Sequence, residues 1–436
     1  MSAPTATTWR NWAGNVRADA VAVGYPASAA EVAAAVTGAV AAGRAVKAVG
    51  SGHSFTSAAA TDGVRLELGR LSGVIAADAD AGTVTVRAGT TLRQLNAALA
   101  ALGLALPNLG DIDAQTIAGA LATGTHGTGA AYGCLSTFVE ALELVTADGA
   151  ILRCSATEHP DVFAAARVGV GAVGVVTEVT LRCVPAFILR ARERPTALAD
   201  VLAGLDEWVG ANDHFEFYWF PYTERTQTKV NNRVPTSDAP LPGWRRWFDD
   251  DLLANRVFAG MCRLGRALPG TVPAINAMSA RALSPREYTA SSHEVFVTAR
   301  RVRFVEMEYG IPRAALPEAF AALRRVIDRL PYRVVFPVEV RFTAADDIWL
   351  SHGYGRDNAY LAIHQYVGMP YEEYFREFEQ VCAPLGGRPH WGKMHFRDAA
   401  TLRTAYPRFD DFLAVRDRLD PGRVFANSYT GRVFGT

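Results

Sequence analysis

The chain changes its hydrophobic period near Pro185, and that change limits the folds open to it more than any single motif does. Beyond this point long segments alternate apolar and polar residues: "HFEFYWFPY", "RVRFVEMEYGIP", "VVFPVEVRFT" and "NAYLAIHQYV". Such alternation predicts strands of an antiparallel sheet, and helical patterns at 314–329 and 371–382 supply its backing. Before Pro185 the elements are short and glycine stops them. "SAAEVAAAVTGAVAA", Ser28 to Ala42, carries a capping serine with a glutamate three residues on, which predicts a helix ended at Gly43. "RAVKAVG", "GVRLELG", "GVIAAD" and "GTVTVRAG" read as short strands, and 91–103 as a second helix with Leu92, Leu95, Leu99 and Leu102 on one stripe. The fold class expected is α+β: a mixed N-terminal lobe of short elements, then a separate antiparallel sheet with helices. "TSDAPLPG", Thr236 to Gly243, reads as a flexible loop.

Composition narrows the partners. The 436 residues carry 44 Lys plus Arg against 44 Asp plus Glu, so no net field draws the chain to nucleic acid or an anionic membrane. A small-molecule partner is expected. Cys134, Cys154, Cys183, Cys262 and Cys382 are widely spread with no C-x-x-C pair, and read as reduced structural thiols. No apolar run reaches the length of a membrane span and the N-terminus lacks a signal-type apolar region, so a cytoplasmic location is expected.

Three glycine-rich loops invite a phosphate reading, because backbone without side chains brings N–H donors close to an anion. Gly169 to Gly174 matches G-x-G-x-x-G literally, yet a strand pattern, "VVTEVTLRCV", follows where a dinucleotide fold needs a helix. No Walker lysine follows any of the loops. The remaining two, "VGSGHSF" and "ATGTHGTG", each set a histidine among glycine, serine and threonine. Either alone reads as an ordinary turn; two in one lobe suggest a phosphate-bearing ligand.

The second half carries two charged constellations. In "VVFPVEVRFT" the apolar Phe336, Val338, Val340 and Phe342 share one face and Glu339 and Arg341 the other. The arginine can hold an anion or developing oxyanion and the glutamate a substrate hydroxyl; a surface ion pair is the alternative. "RPHWGKMHF" places Lys393 between His390 and His395, whose spacing is not that of a helical metal pair. No metal is expected. Lys393 suits an anionic cofactor or substrate, or a solvated loop.

Taken in order along the whole chain, from "NWAGN" to "DPGRVFANSY", these segments resemble the aldonolactone oxidoreductases of the vanillyl-alcohol-oxidase-type flavoprotein superfamily. The resemblance implies an FAD-binding domain over 12–184, made of two small α/β subdomains, and a substrate-binding cap over 185–436 whose segment 388–436 contributes to the active site. "VGSGHSF" looks like the pyrophosphate loop, with Gly50, Ser51, Gly52, His53 and Ser54 lining FAD and His53 bonded to the flavin 8α-methyl group. Thr116, Gly119, Thr123, Gly124, His126 and Gly127 resemble a second flavin-contacting segment, and Gly174 and Val175 the stretch near adenine. Glu339, Arg341 and Lys393 fall on the substrate-site positions, with Gln365 or its neighbour His364 completing the pocket.

The implied reaction is oxidation of a sugar 1,4-lactone at its C2 hydroxyl, by hydride transfer to flavin N5, giving an ascorbate-type product and passing electrons to oxygen or another acceptor. An alditol oxidase acting on a polyol such as xylitol is the alternative. In "NLGDID" the family often has a small residue followed by serine, the small residue controlling the approach of oxygen to the flavin. Here the pair is Gly110 and Asp111: the glycine favours access and the carboxylate alters hydroxyl recognition.

Overall fold

Ser28 caps the helix Ala29–Ala41, its hydroxyl accepting the Glu31 N–H at 3.2 Å while the Glu31 carboxylate accepts the Ala27 N–H. This helix bridges two strands of a three-stranded parallel sheet, ordered Ala22–Gly24, Val64–Glu67, Val46–Val49. The helix carries the chain from one outer strand to the other, so that both run parallel to the central Val64–Glu67. Its buried Val32, Val36 and Ala39 pack against Val46 and Leu66 in a core that also takes in Val145, Val175 and Phe425. The computed structural model describes residues 7–298 and 300–435.

A second subdomain is an antiparallel sheet of five strands, in the order Ile151–Ser155, Val139–Val145, Val175–Arg182, Thr83–Arg87, Val74–Asp78. The helix Leu92–Ala101 closes against it through Leu92, Leu95 and Leu99, started by a Thr91–Gln94 capping box. Leu102, expected on the same stripe, is 40% exposed, because the helix ends at Ala101 and the chain turns through Gly103.

The third sheet has eight antiparallel strands, ordered Arg286–Ser291, Ile188–Ala197, Arg225–Val234, His214–Trp219, Val338–Thr343, Asn358–Tyr366, Phe304–Pro312, Arg388–Pro389. One face carries Val338, Val340, Phe342, Leu361 and Ile363 against the helices Leu316–Arg329 and Glu372–Cys382. The opposite face carries Glu216, Lys229, Glu306, Glu308, Glu339 and Arg341, and none of these is more than 9% exposed. Glu339 and Arg341 are therefore not a surface ion pair. The alternation that marks a half-solvated sheet here separates an apolar interior from a charged one.

All five cysteines are buried and unpaired. Among the described residues no helix is long and apolar enough to cross a membrane.

Candidate active site

The loop after the strand Val46–Val49 forms one wall of a cleft enclosing about 1240 Å³, its open mouth included. Gly50, Ser51, Gly52, His53 and Ser54 line it, with Thr116, Gly119 and Thr123 at the helix Ile117–Ala122, and Gly174 and Val175 at the start of the strand Val175–Arg182. Gly50 is pressed onto that helix: a Cβ there would sit 2.2 Å from Thr116 Oγ1. Gly174, at φ +151°, brings the chain within 2.8 Å of the Val145 carbonyl as measured from its would-be Cβ. Close backbone approach is what both positions require.

Lys47 also lines this cleft, buried, its ammonium 3.4 Å from the Gly171 carbonyl. Burial pulls its pKa down to about 7, only partly offset by Asp420. A desolvated amine beside a loop of bare backbone suits a phosphate-bearing ligand, so the residues present fit FAD.

His53, Ser54, Gln115 and Thr123 belong to this cleft and to a second cavity of about 700 Å³, which joins it at His53. The His53 ring stacks on Trp12, 5.7 Å between centroids at 22°. Burial and the nearby Lys393 hold the imidazole below its usual pKa, and hence neutral. Gly110, Asp111, His126, Arg300, Glu306, Glu308, Arg341 and Lys393 supply the polar wall of the second cavity.

These charges are paired in two groups. Arg341 donates to Glu216 from Nε at 3.0 Å, and its Nη2 lies 2.5 Å from Glu339 and 3.5 Å from Asp111. Arg300 donates twice to Asp111 Oδ2, at 3.0 and 2.6 Å, and the Thr298 N–H donates to the Asp111 carbonyl. Burial alone would raise Asp111, but Arg300 and Arg341 outweigh it and hold the carboxyl well below its usual range. On the other side Lys393 donates to Glu306, which His364 faces at 3.6 Å. Burial would raise Glu306 too, yet Lys393 and His364 bring it to about 2.

His126 and Glu308 form a third pair. His126 Nδ1 sits 2.8 Å from the Gly127 carbonyl, which only accepts, so that nitrogen carries a proton. Its Nε2 lies 3.3 Å from Glu308 Oε1, leaving two acceptors face to face unless one more proton sits between them. The pair thus offers a place for one proton in the cavity wall. His390 lies close enough for one atom of each of the three residues to fall within 4.8 Å of the others. That geometry is not a metal set, because His390 Nδ1 accepts the Gly392 N–H at 3.0 Å and its proton therefore occupies Nε2.

Three of the sequence expectations are corrected by these positions. Gln365 points to the helix-covered side of the sheet, where its amide donates to the Arg333 and Pro370 carbonyls at 3.1 Å each. His364, one residue earlier and so on the opposite face, lies behind Glu306, 3.6 Å from its carboxylate. Glu339 stands behind Arg341 rather than on the cavity wall, accepting the Tyr218 hydroxyl at 2.7 Å. Gly124 and Gly127 line neither cavity: they are packing glycines, with a Cβ meeting His352 at 2.8 Å in the first case and the Leu109 carbonyl at 2.2 Å in the second.

Comparison with known proteins decides the family. Residues 179–433 match the family model described as D-arabinono-1,4-lactone oxidase, and residues 20–155 match that of an FAD binding domain. The chain is a member of the aldonolactone oxidoreductase family. It is 46% identical over 430 residues to L-gulono-1,4-lactone dehydrogenase of Mycobacterium tuberculosis, covering 98% of this chain and 99% of the relative. To L-gulonolactone oxidase of Bos taurus it is 37% identical over 399 residues, 89% of each chain. Its fold is that of cholesterol oxidase from B. sterolicum, with a TM-score of 0.82 at 19% identity, covering 98% of this chain and 96% of the other.

Within this member of the family, sequence reading missed Lys47, Arg300, Glu306 and Glu308. The two glutamates stood in a quoted strand, "RVRFVEMEYGIP", with the same alternation that singled out Glu339 and Arg341. Lys47 interrupts a strand read as buried, which was a usable signal. Arg300 lies in an irregular segment where no periodicity marks it.

Proposed function

We propose that the enzyme oxidises an aldono-1,4-lactone at its C2 hydroxyl, using FAD that the glycine-lined cleft would hold beside the second cavity. One observation carries the substrate class: the cavity presents Arg300, Arg341 and Lys393 against Asp111, Glu306 and Glu308. Such a wall offers many donors and acceptors but no net charge, which suits a neutral polyhydroxylated ring better than its ring-opened carboxylate. When bound, FAD accepts the hydride.

The chain's own residues do the remainder. Arg341 orients the substrate oxygens, and Glu339 and Glu216 fix the plane of its guanidinium. Lys393 supplies positive charge where negative charge accumulates, while the His126–Glu308 pair takes up the hydroxyl proton. Glu339 thus serves as a positioning residue. The boundary between the two domains falls near 184, and His53 tethers the flavin.

Gulonolactone, galactonolactone, arabinonolactone and xylitol, each assayed with oxygen and with an artificial dye acceptor, test the substrate class. Lactone turnover that falls at least about a hundredfold in Arg341→Ala is expected. Preference for xylitol would favour the alditol reading instead, and parent-like turnover in Arg341→Ala would remove the site assignment. Intact-mass measurement under denaturing conditions tests the tether: the FAD increment should be present in the parent and absent in His53→Ala.

A further inference from the structure

Between the strands Arg225–Val234 and Arg286–Ser291 the chain leaves the sheet for an uninterrupted helical run, Gly243–Arg246, Trp247–Val257 and Phe258–Ala267, followed by the helix Val272–Ala282. Of the fifteen large hydrophobic side chains that are exposed among the described residues, eight lie between Trp244 and Met278. Trp244 is 71% exposed and Trp247 50%, with Phe248 beside them. Apolar exposure this concentrated on one excursion marks a surface that meets something.

The pattern within the run is specific. Leu253, Val257, Leu264 and Leu268, separated by four, seven and four residues, form one stripe that is 42–56% exposed. A second stripe, Asn255, Phe258, Cys262 and Gly265, faces inward on the other side of the helix, where Phe258 meets Phe336 edge-on at 4.9 Å between ring centroids. The inner stripe already anchors the helix to the cap. The outer stripe is left uncovered by the fold.

Charge identifies what it meets. Asp249 lies between Arg245 and Arg286 at 3.7 and 3.4 Å, Asp250 shares Arg286 with Glu193 at 3.1 and 2.6 Å, and Asp251 pairs with Arg301 at 2.5 Å. Arg256, Arg263, Arg266 and Arg281 are exposed, and among the described residues none of them is ion-paired. The excursion is therefore locally cationic on a chain of zero net charge. Arg256 and Arg263 each directly precede a residue of the apolar stripe, so cationic groups border it. A two-fold contact between copies would bring these unpaired arginines toward one another, which opposes self-association.

We propose that this excursion docks the enzyme on an anionic lipid surface. The helical run lies in the headgroup plane, Trp244, Trp247 and the 253–268 stripe enter the acyl boundary, and the bordering arginines meet lipid phosphates. Local charge and apolar exposure together drive the contact, although net charge predicts none.

Flotation of the full-length holoenzyme with phosphatidylcholine vesicles, with or without about one-third phosphatidylglycerol, tests the proposal. Binding at least about tenfold tighter to the anionic vesicles is expected, weakening as salt rises. Leu264→Ser with Leu268→Ser should reduce it about tenfold or more, as should Arg256→Gln with Arg263→Gln, while lactone turnover in free solution stays at the parent level. Failure to float with either vesicle would overturn the proposal, as would undiminished flotation of both variants. A concentration-dependent dimer that the Leu264→Ser, Leu268→Ser protein cannot form would assign the face to a second copy and overturn it equally.

Discussion

Replacing Lys47 by methionine should stabilise the flavin-free protein, by an amount that depends on pH in a calculable way. The side chain is buried in the wall of the larger cleft, and burial lowers its pKa from 10.5 to about 7. Because the folded value lies below the unfolded one, the folded state binds fewer protons between these values. Stability therefore rises with pH across that window, and the full deficit is present below it. At 1.36 kcal/mol per pH unit the deficit amounts to about 5 kcal/mol near pH 6 and about 2 kcal/mol near pH 9.

Methionine keeps the length of the chain and removes the charge. Urea unfolding of Lys47→Met and its parent, both in a His53→Ala background stripped of flavin, should show a stability gap that narrows by about 3 kcal/mol between pH 6 and pH 9. A gap that stays constant with pH, or a variant less stable than its parent near pH 6, would refute the claim that this amine sits desolvated and under-compensated.

Other expectations follow from the same geometry. Lys393→Met removes the ammonium that holds Glu306 at about 2, so kcat should fall about a hundredfold and the acid limb of its pH profile should move upward. Glu308→Gln breaks the shared-proton pair with His126, and the pH dependence of kcat should change more than KM for the lactone. In Gly110→Ala the new Cβ would lie 3.1 Å from the His126 carbonyl, and stopped-flow reoxidation of the reduced enzyme by oxygen should slow while dye-linked turnover is retained. Asp346 is raised from 3.8 to about 6 by burial, so its ionisation costs stability as pH rises through that range. Asp346→Asn should gain up to about 3 kcal/mol above pH 6 and nothing near pH 3 in thermal or urea unfolding.

Short glycine-stopped strands in the N-terminal lobe and four alternating strands of the large sheet were legible in the sequence, whereas Val139–Val145, Ile151–Ser155, Ile188–Ala197, Arg225–Val234 and Arg286–Ser291 were not read from it. The helical run 243–267 was not, since its apolar residues fall on two stripes and blur the period that identifies a helix with one buried face. At the site, alternation correctly put Glu339 and Arg341 on one face, but a period of two says nothing about which of them reaches the cavity. Depth within the charged layer depends on Glu216, Lys229 and Tyr218, which arrive from other strands. Gln365 failed for the converse reason: it differs from His364 by one residue, and on a strand one residue is a change of side. The Asp111–Arg300 contact spans 189 positions and joins two loops, where no local pattern exists to read.

The charged face of the large sheet also shapes how this enzyme can change. Lys229, Glu216, Arg341, Asp111 and Arg300 form one chain of alternating sign, with Glu339 branching from Arg341, and every one of these ion pairs lies within 3.5 Å. A single substitution strands an uncompensated charge in the interior, whereas a matched double substitution need not. Epistasis is thus built into the pocket wall: a new substrate range is reached through paired replacements, and a library that samples one position at a time would meet a stability valley before it met a new specificity.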